Sequence, residues 1–307
     1  MADYSELIPL GNKKPFIQLM VSLLVLLTIA VSGLIITVLT AWLIFGIAPG
    51  EINTTLLTME SGYVGYLKYL QTFQHLTMFM VPSLAIAYFM SGDFTSFLGL
   101  KSRPSFSFVL LCIIFIILII PLNSYFSYLN AGLELPGFLD GLENWIRLKE
   151  ARAERLTGLL IEAPNIRVLF VNILVLAIIP AIGEEFFYRG ILQRILGGWL
   201  KSGFLAVVLT AIIFSAAHLQ FYGFLPRLVL GLGFGFIYLW SRNIWLAVLA
   251  HLTNNIIPVV LSYFWGWQNI NTSIDDFSSG DGLISLVPAL FAVLILVVIW
   301  RRNTDKD

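Results

Sequence analysis

Across 307 residues, 18 Lys plus Arg balance 18 Asp plus Glu, so bulk charge excludes nucleic acid or an acidic partner as an electrostatic target. Apolar residues make up 58% of the chain and charged residues only 12%, against about 25% charged in an ordinary soluble domain. A soluble fold cannot hide that much apolar surface, so the excess must face lipid.

A membrane-crossing helix needs about 20 mostly apolar residues. On that ruler the sequence predicts an all-α, polytopic transmembrane bundle of about eight spans, near 16–45, 69–90, 106–128, 166–183, 203–219, 225–241, 244–264 and 283–300. The first run, Phe16 to Phe45, is too long for a secretory h-region and lacks a small-x-small exit, so it reads as a span that stays. The single cysteine, Cys112, sits inside the apolar run Phe108 to Ile120, which excludes an internal disulfide and reads as a packed or lipid-facing side chain. Between the third and fourth spans, Leu139, Leu142, Trp145, Ile146, Ala153, Leu156 and Leu160 recur at helical spacing. The stretch near 136–163 therefore reads as an amphipathic connecting helix that lies on the membrane or caps the bundle. A solvated connector is the other reading. The fourth span runs on through Pro180 into a second helical stretch, about 184–200, and the Gly-rich run at 197–203 is the natural turn after it.

Lys and Arg gather in alternate loops: Lys13 and Lys14, Lys101 and Arg103, Arg194 and Lys201, Arg242, then Arg301, Arg302 and Lys306. The intervening loops are poor in basic residues, and 265–282 carries Asp275, Asp276 and Asp281 instead. This predicts both termini in the cytoplasm of a bacterial-type cell membrane, and a cavity reached from the cytoplasm. The connector breaks the pattern with Arg147, Lys149, Arg152 and Arg155, mixed with acidic residues.

Ionisable groups at bilayer depth cost several kcal/mol each and mark functional sites by default. Here they cluster: Glu184, Glu185 and Arg189 in the extension of the fourth span, His218 in the fifth, His251 with Asn255 in the seventh. Glu185 and Arg189 are i,i+4, so they can neutralise each other, while Glu184 points about 100° away toward another partner. His251 and Asn255 also share one helical face. Glu184 and His218 stand equally far before and after Lys201, so a helical hairpin puts both about 25 Å from its turn. A carboxylate and an imidazole beside one water can deprotonate it as it attacks a peptide carbonyl, and a second His with an Asn amide can stabilise the oxyanion. Alternatively Glu184, His218 and His251 could bind zinc or another divalent metal, an open His-His-Glu set. The sequence has no HExxH and no G-x-S-x-G elbow, and Cys112 lacks polar neighbours, which argues against the common zinc, serine and cysteine designs. Phe214 reads as packing that holds His218. The third histidine, His75, with Gln71 and Gln74 beside it, reads as a polar contact between helices, and lining the same cavity is the other reading. Gly231, Gly233 and Gly235 alternate without a strand–helix phosphate context and read as close helix packing.

Three patterns stand in order within these spans: EExxxR as Glu184, Glu185 and Arg189, FxxxH as Phe214 and His218, and HxxxN as His251 and Asn255. In them the chain resembles the CPBP family of intramembrane proteases, which includes the type II CAAX prenyl endopeptidases and bacteriocin-processing or immunity (Abi-like) proteins. The resemblance divides the chain into N-terminal spans and connector (1–165), a catalytic core (166–265), and a last span with its tail (266–307). It implies an intramembrane endopeptidase, glutamate-type or metallo-type, acting on a membrane-associated or lipid-modified protein or peptide, such as a prenylated CAAX tail or a leader peptide. In that reading Glu184 and His218 activate water, His251 and Asn255 hold the oxyanion, and Glu185 with Arg189 braces the site. Its partners are then a protein or peptide substrate and the lipid bilayer, with no nucleic acid. Two other functions remain on the residues alone. One is a non-catalytic immunity or scaffold protein whose polar network fixes packing. The other is a proton-coupled transporter, for which no inverted repeat is visible.

Overall fold

The computed structural model describes residues 10–51, 61–270 and 282–304, all in helices and connecting turns. Asp275, Asp276, Asp281 and Lys306 lie outside the described residues. Among the described residues six helices are long and apolar enough to cross a membrane: α1 (Pro15–Phe45), α2 (Val64–Ser91), α3 (Phe106–Ala131), α5 (Ile166–Leu200), α7 (Phe224–Ser241) and α8 (Ile244–Trp265). The two other expected spans are α6 (Gly203–Ala217) and α9 (Gly282–Thr304). At 15 residues, α6 covers only about 22 Å. The connector is α4 (Asp140–Ile161), preceded by a single turn at Gly137–Leu139.

Helix ends follow local chemistry. Proline at the first turn opens α1, and Gly46, at φ 71°, closes it in the left-handed conformation that glycine adopts without strain. Asn165, Ser202 and Asn243 cap α5, α6 and α8 by accepting backbone N–H bonds from the first turn. The expected fourth span and its extension form one continuous helix of 35 residues. The glycines Gly197 and Gly198 stay helical, and the turn contracts to Lys201, in the left-handed region, and Ser202.

Both α2 and α5 widen into π turns, at Leu76–Met80 and Ile173–Ile178. Each lies just before a proline, Pro82 and Pro180. Proline lacks the N–H of the regular ladder and clashes with the carbonyl four residues back, so a wider turn relieves the conflict where no water can. A third π turn, Phe186–Gln193, has no proline. It aims Arg189 and Gln193 at the carbonyls of Gly231 and Gly235 on α7, at 2.9 and 3.1 Å.

Two apolar clusters flank the polar residues. One joins α3, α7, α8 and α9 through Phe115, Ile116, Phe234, Leu246, Ala292 and Ile299, and it includes the buried Cys112. The other joins α2, α5 and α8 through Ile86, Met90, Phe186, Ile191 and Val248. The face of α1 away from α2 stays exposed, as at Leu24 and Leu43, and suits lipid. The alternating glycines of α7 do pack closely. A Cβ on Gly233 would stand 2.7 Å from the Phe115 ring, and one on Gly235 would stand 2.8 Å from Val207.

The connector caps the bundle rather than sitting free in solvent. Ile146, Leu160 and Ile161 are buried, although Leu142 and Trp145 of the predicted apolar face are exposed. Its Glu143 bonds Arg147 at i,i+4 and also accepts from the Leu135 N–H at 2.9 Å. Those two donors, the backbone first, hold the Glu143 carboxyl below the usual carboxylate range. Glu150 accepts from the Tyr222 N–H at 3.0 Å and the Gln220 amide at 3.3 Å, which ties α4 to the loop after His218.

Candidate active site

Glu184 is the next-to-last residue of a short α-helical stretch of α5, Ile179–Glu185, between two π turns. His218 stands where α6 stops, because Leu219 turns left-handed at φ 53°. His251 and Asn255 project from the middle of α8. These four side chains line one cavity of about 360 Å³, together with Gln71 and His75 of α2. Leu156, Thr157, Leu160 and Ile161 of α4 close it from above. The residues singled out in the sequence are thus brought together. His251 lies only eight residues past Asn243, about 12 Å along its helix, yet α5 and α8 pack directly on each other and bring it to the Glu185 carboxylate.

Glu185 and Arg189 have no solvent exposure and pair at 2.8 Å, as their spacing predicts. The same carboxylate oxygen also accepts from His251 Nδ1 at 2.8 Å. Arg189 Nη2 then reaches the Gly231 carbonyl, so a single charge pair ties α5, α7 and α8 together. Aromatic faces complete its surroundings: the guanidinium carbon lies 5.0 Å from the Phe214 ring centre and 5.4 Å from that of Phe234. Phe234 stacks on His251 at 4.9 Å, and Phe214 meets His218 edge-on at 5.0 Å. Phe214 therefore packs against Arg189 and His218 together.

The hydrogen bonds assign protons. A carbonyl only accepts, so the 2.8 Å contact of His218 Nδ1 with the Phe214 carbonyl places the proton on Nδ1. In the neutral ring Nε2 is then an acceptor, the form a base requires. His251 likewise commits its Nδ1 proton to Glu185. Its Nε2 donates only when the ring is doubly protonated, a condition the sequence reading of an oxyanion donor did not include. Asn255 Oδ1 accepts from the Asn254 amide at 3.1 Å, which leaves the Asn255 NH₂ as a donor. Glu184 Oε2 is buried without a protein partner.

His75 makes the expected polar contact between helices and also lines the site cavity: its Nε2 lies 3.2 Å from Glu184 Oε1. The available signal was a histidine beside two glutamines within a span, and its bond partner lies 109 residues away.

Zinc or another divalent metal held by Glu184, His218 and His251 is the other reading of this donor set. Among the described residues no three His, Cys, Asp or Glu side chains gather closely enough to hold a metal ion. His218 and His251 each donate Nδ1 to protein and keep Nε2 open, as metal-bound histidines do, while Glu184 Oε1 is bonded to His75.

A second cavity, about 740 Å³, lies on the other side of Glu184, His75 and His218. Its walls are mainly apolar, with Leu23 and Leu26 of α1, Met78 of α2, Phe187 of α5 and Ile213 of α6. The hairpin of α5 and α6 holds Glu184 and His218 about 25 Å from its turn at Lys201, next to α4.

Residues 166–257 match the family described as type II CAAX prenyl endopeptidase Rce1-like. No curated protein and no solved structure matches the chain.

Proposed function

We propose, from the premise that residues 166–257 are an Rce1-like domain of a CPBP-type membrane protease, that Glu184 and His218 activate a water for peptide hydrolysis within the bundle. The observation that carries this reading is the convergence of Glu184, His218, His251 and Asn255 on one capped cavity. The orphaned Glu184 Oε2 and the acceptor Nε2 of His218 are the two groups that hold the water. As the water oxygen bonds to the scissile carbonyl carbon, its proton passes to the Glu184–His218 pair. The carbonyl oxygen becomes an oxyanion that accepts from the Asn255 amide and from Nε2–H of doubly protonated His251. The held proton then moves to the leaving amine as the C–N bond breaks. Every step uses groups of this chain, and none is routed through a metal.

The substrate class that fits is a membrane-associated or lipid-modified protein or peptide. Its apolar part enters through the second cavity, which opens between α1, α2, α5 and α6. Prenylated CAAX tails and leader peptides are the forms to compare. Removing a general base costs about 10²- to 10⁴-fold in rate, so Glu184→Ala in liposomes should lose turnover by that factor while remaining folded. The assay is a quenched-fluorescent peptide library with and without an isoprenylated cysteine, followed by a membrane-proteome screen. A parent that cleaves nothing, or a Glu184→Ala protein that matches it, contradicts the proposal.

A further inference from the structure

We infer that His75, far outside the matched segment, is a positioning residue for Glu184, so that the machinery of this chain extends into its N-terminal spans. This rests on the reading of Glu184 as the water-activating base.

The ring of His75 is held at both ends. Its Nδ1 donates to the Gln71 carbonyl at 2.9 Å, and its Nε2 meets Glu184 Oε1 at 3.2 Å. Because the Nδ1 proton is committed to a carbonyl, the second contact holds one proton between Nε2 and Oε1. The two side chains are 13% and 7% exposed, so water competes little for this bond. With Oε1 anchored, the carboxylate plane is fixed, and Oε2 is the oxygen left without a protein partner among the described residues. A catalytic carboxylate at the end of a flexible stem needs such an anchor, because small misplacements cost much of the rate.

Two features outside the pair favour the same contact. Gly183, next to Glu184, lets α5 approach the backbone of α2 closely. A Cβ there would lie 3.3 Å from Phe79 Cβ, 3.4 Å from the Met80 nitrogen and 3.6 Å from the His75 carbonyl oxygen. The π turn of α2 begins immediately after His75 and carries the Phe79 ring to 5.8 Å from the imidazole. Both cavities are lined by His75 together with Glu184 and His218, so the ring sits at the reacting centre and not behind it.

The test uses the full chain in phosphatidylethanolamine–phosphatidylglycerol liposomes and a quenched-fluorescent peptide that the parent cleaves. His75→Leu should lower kcat about 10- to 100-fold with KM little changed, and His75→Gln, which keeps a nitrogen donor near the place of Nε2, should recover most of the loss. If Glu184→Ala is inactive while His75→Leu turns over like the parent, the inference is overturned and the base assignment stands. If Glu184→Ala itself turns over normally, the base assignment falls, and the role of His75 with it. A measurement independent of turnover decides the contact. The chain has three histidines, so ¹⁵N-histidine labelling reports three rings, and His75→Gln assigns one by its loss. Glu184→Gln should then shift the His75 Nε2 resonance, and an unmoved resonance contradicts the contact.

Discussion

At the scale of residues, the chain holds a complete charge pair in its interior and uses it as a joint. Glu185 Oε1 takes bonds from both Arg189 and His251, and neither Glu185 nor Arg189 meets solvent. Removing one member strands the other without compensation, which costs about 3–5 kcal/mol. Arg189→Met and Glu185→Gln should each show that loss in denaturant or thermal unfolding in detergent. The double replacement should cost less than the two single losses added, because it leaves no unpaired charge. Equal stability of Arg189→Met and the parent would show that the pair is not a brace. Both residues were legible in the sequence as an i,i+4 pair in an apolar run. The third partner was not, because His251 arrives from a helix 66 residues away. The partner of His75 stayed hidden for the same reason: a histidine among amides reads as helix glue, and only Gly183 shows which helix comes close.

At the scale of elements, the helices near the site are shaped by where backbone bonds fail and where side chains are absent. The π turns before Pro82 and Pro180 had no direct mark in the hydrophobic pattern, since period-based reading sees only a continuing apolar run. The prolines were the visible clue. The connector was read as a helix, and most of its predicted apolar face packs, as at Ile146, Leu156 and Leu160. Tertiary contact through Glu150 and the loop after His218 decides which side is down, leaving Leu142 and Trp145 exposed. The glycines of α7 were legible as packing positions, and their carbonyls turn out to be acceptors for Arg189 and Gln193 as well. Adding a methyl at Gly233 drives it into the buried Phe115 ring, so Gly233→Ala should cost about 1–3 kcal/mol. Gly141→Ala on α4, where no atom lies within 4 Å of the new Cβ, should be neutral or stabilising. Thermal unfolding of the two variants side by side checks this, and equal behaviour would deny the close approach of α3 and α7.

At the scale of the whole molecule, the site exists only because α2, α5, α6 and α8 meet under α4. The membrane class and the helical architecture followed from composition and span length, since burial of so much apolar surface admits few alternatives. Convergence of the polar groups was visible as a hairpin distance for Glu184 and His218, whereas the capping by α4 and the contribution of α2 depend on contacts between distant segments. The central claim is that Glu184 and His218 act as a unit on one water. A double-mutant cycle on kcat in liposomes, with Glu184→Gln, His218→Gln and both together, tests it most directly. Each single change should cost about 10²- to 10⁴-fold, with the double no slower than the worse single, as groups acting in one step behave. Losses that multiply, or a single variant with the parent's kcat, would contradict it.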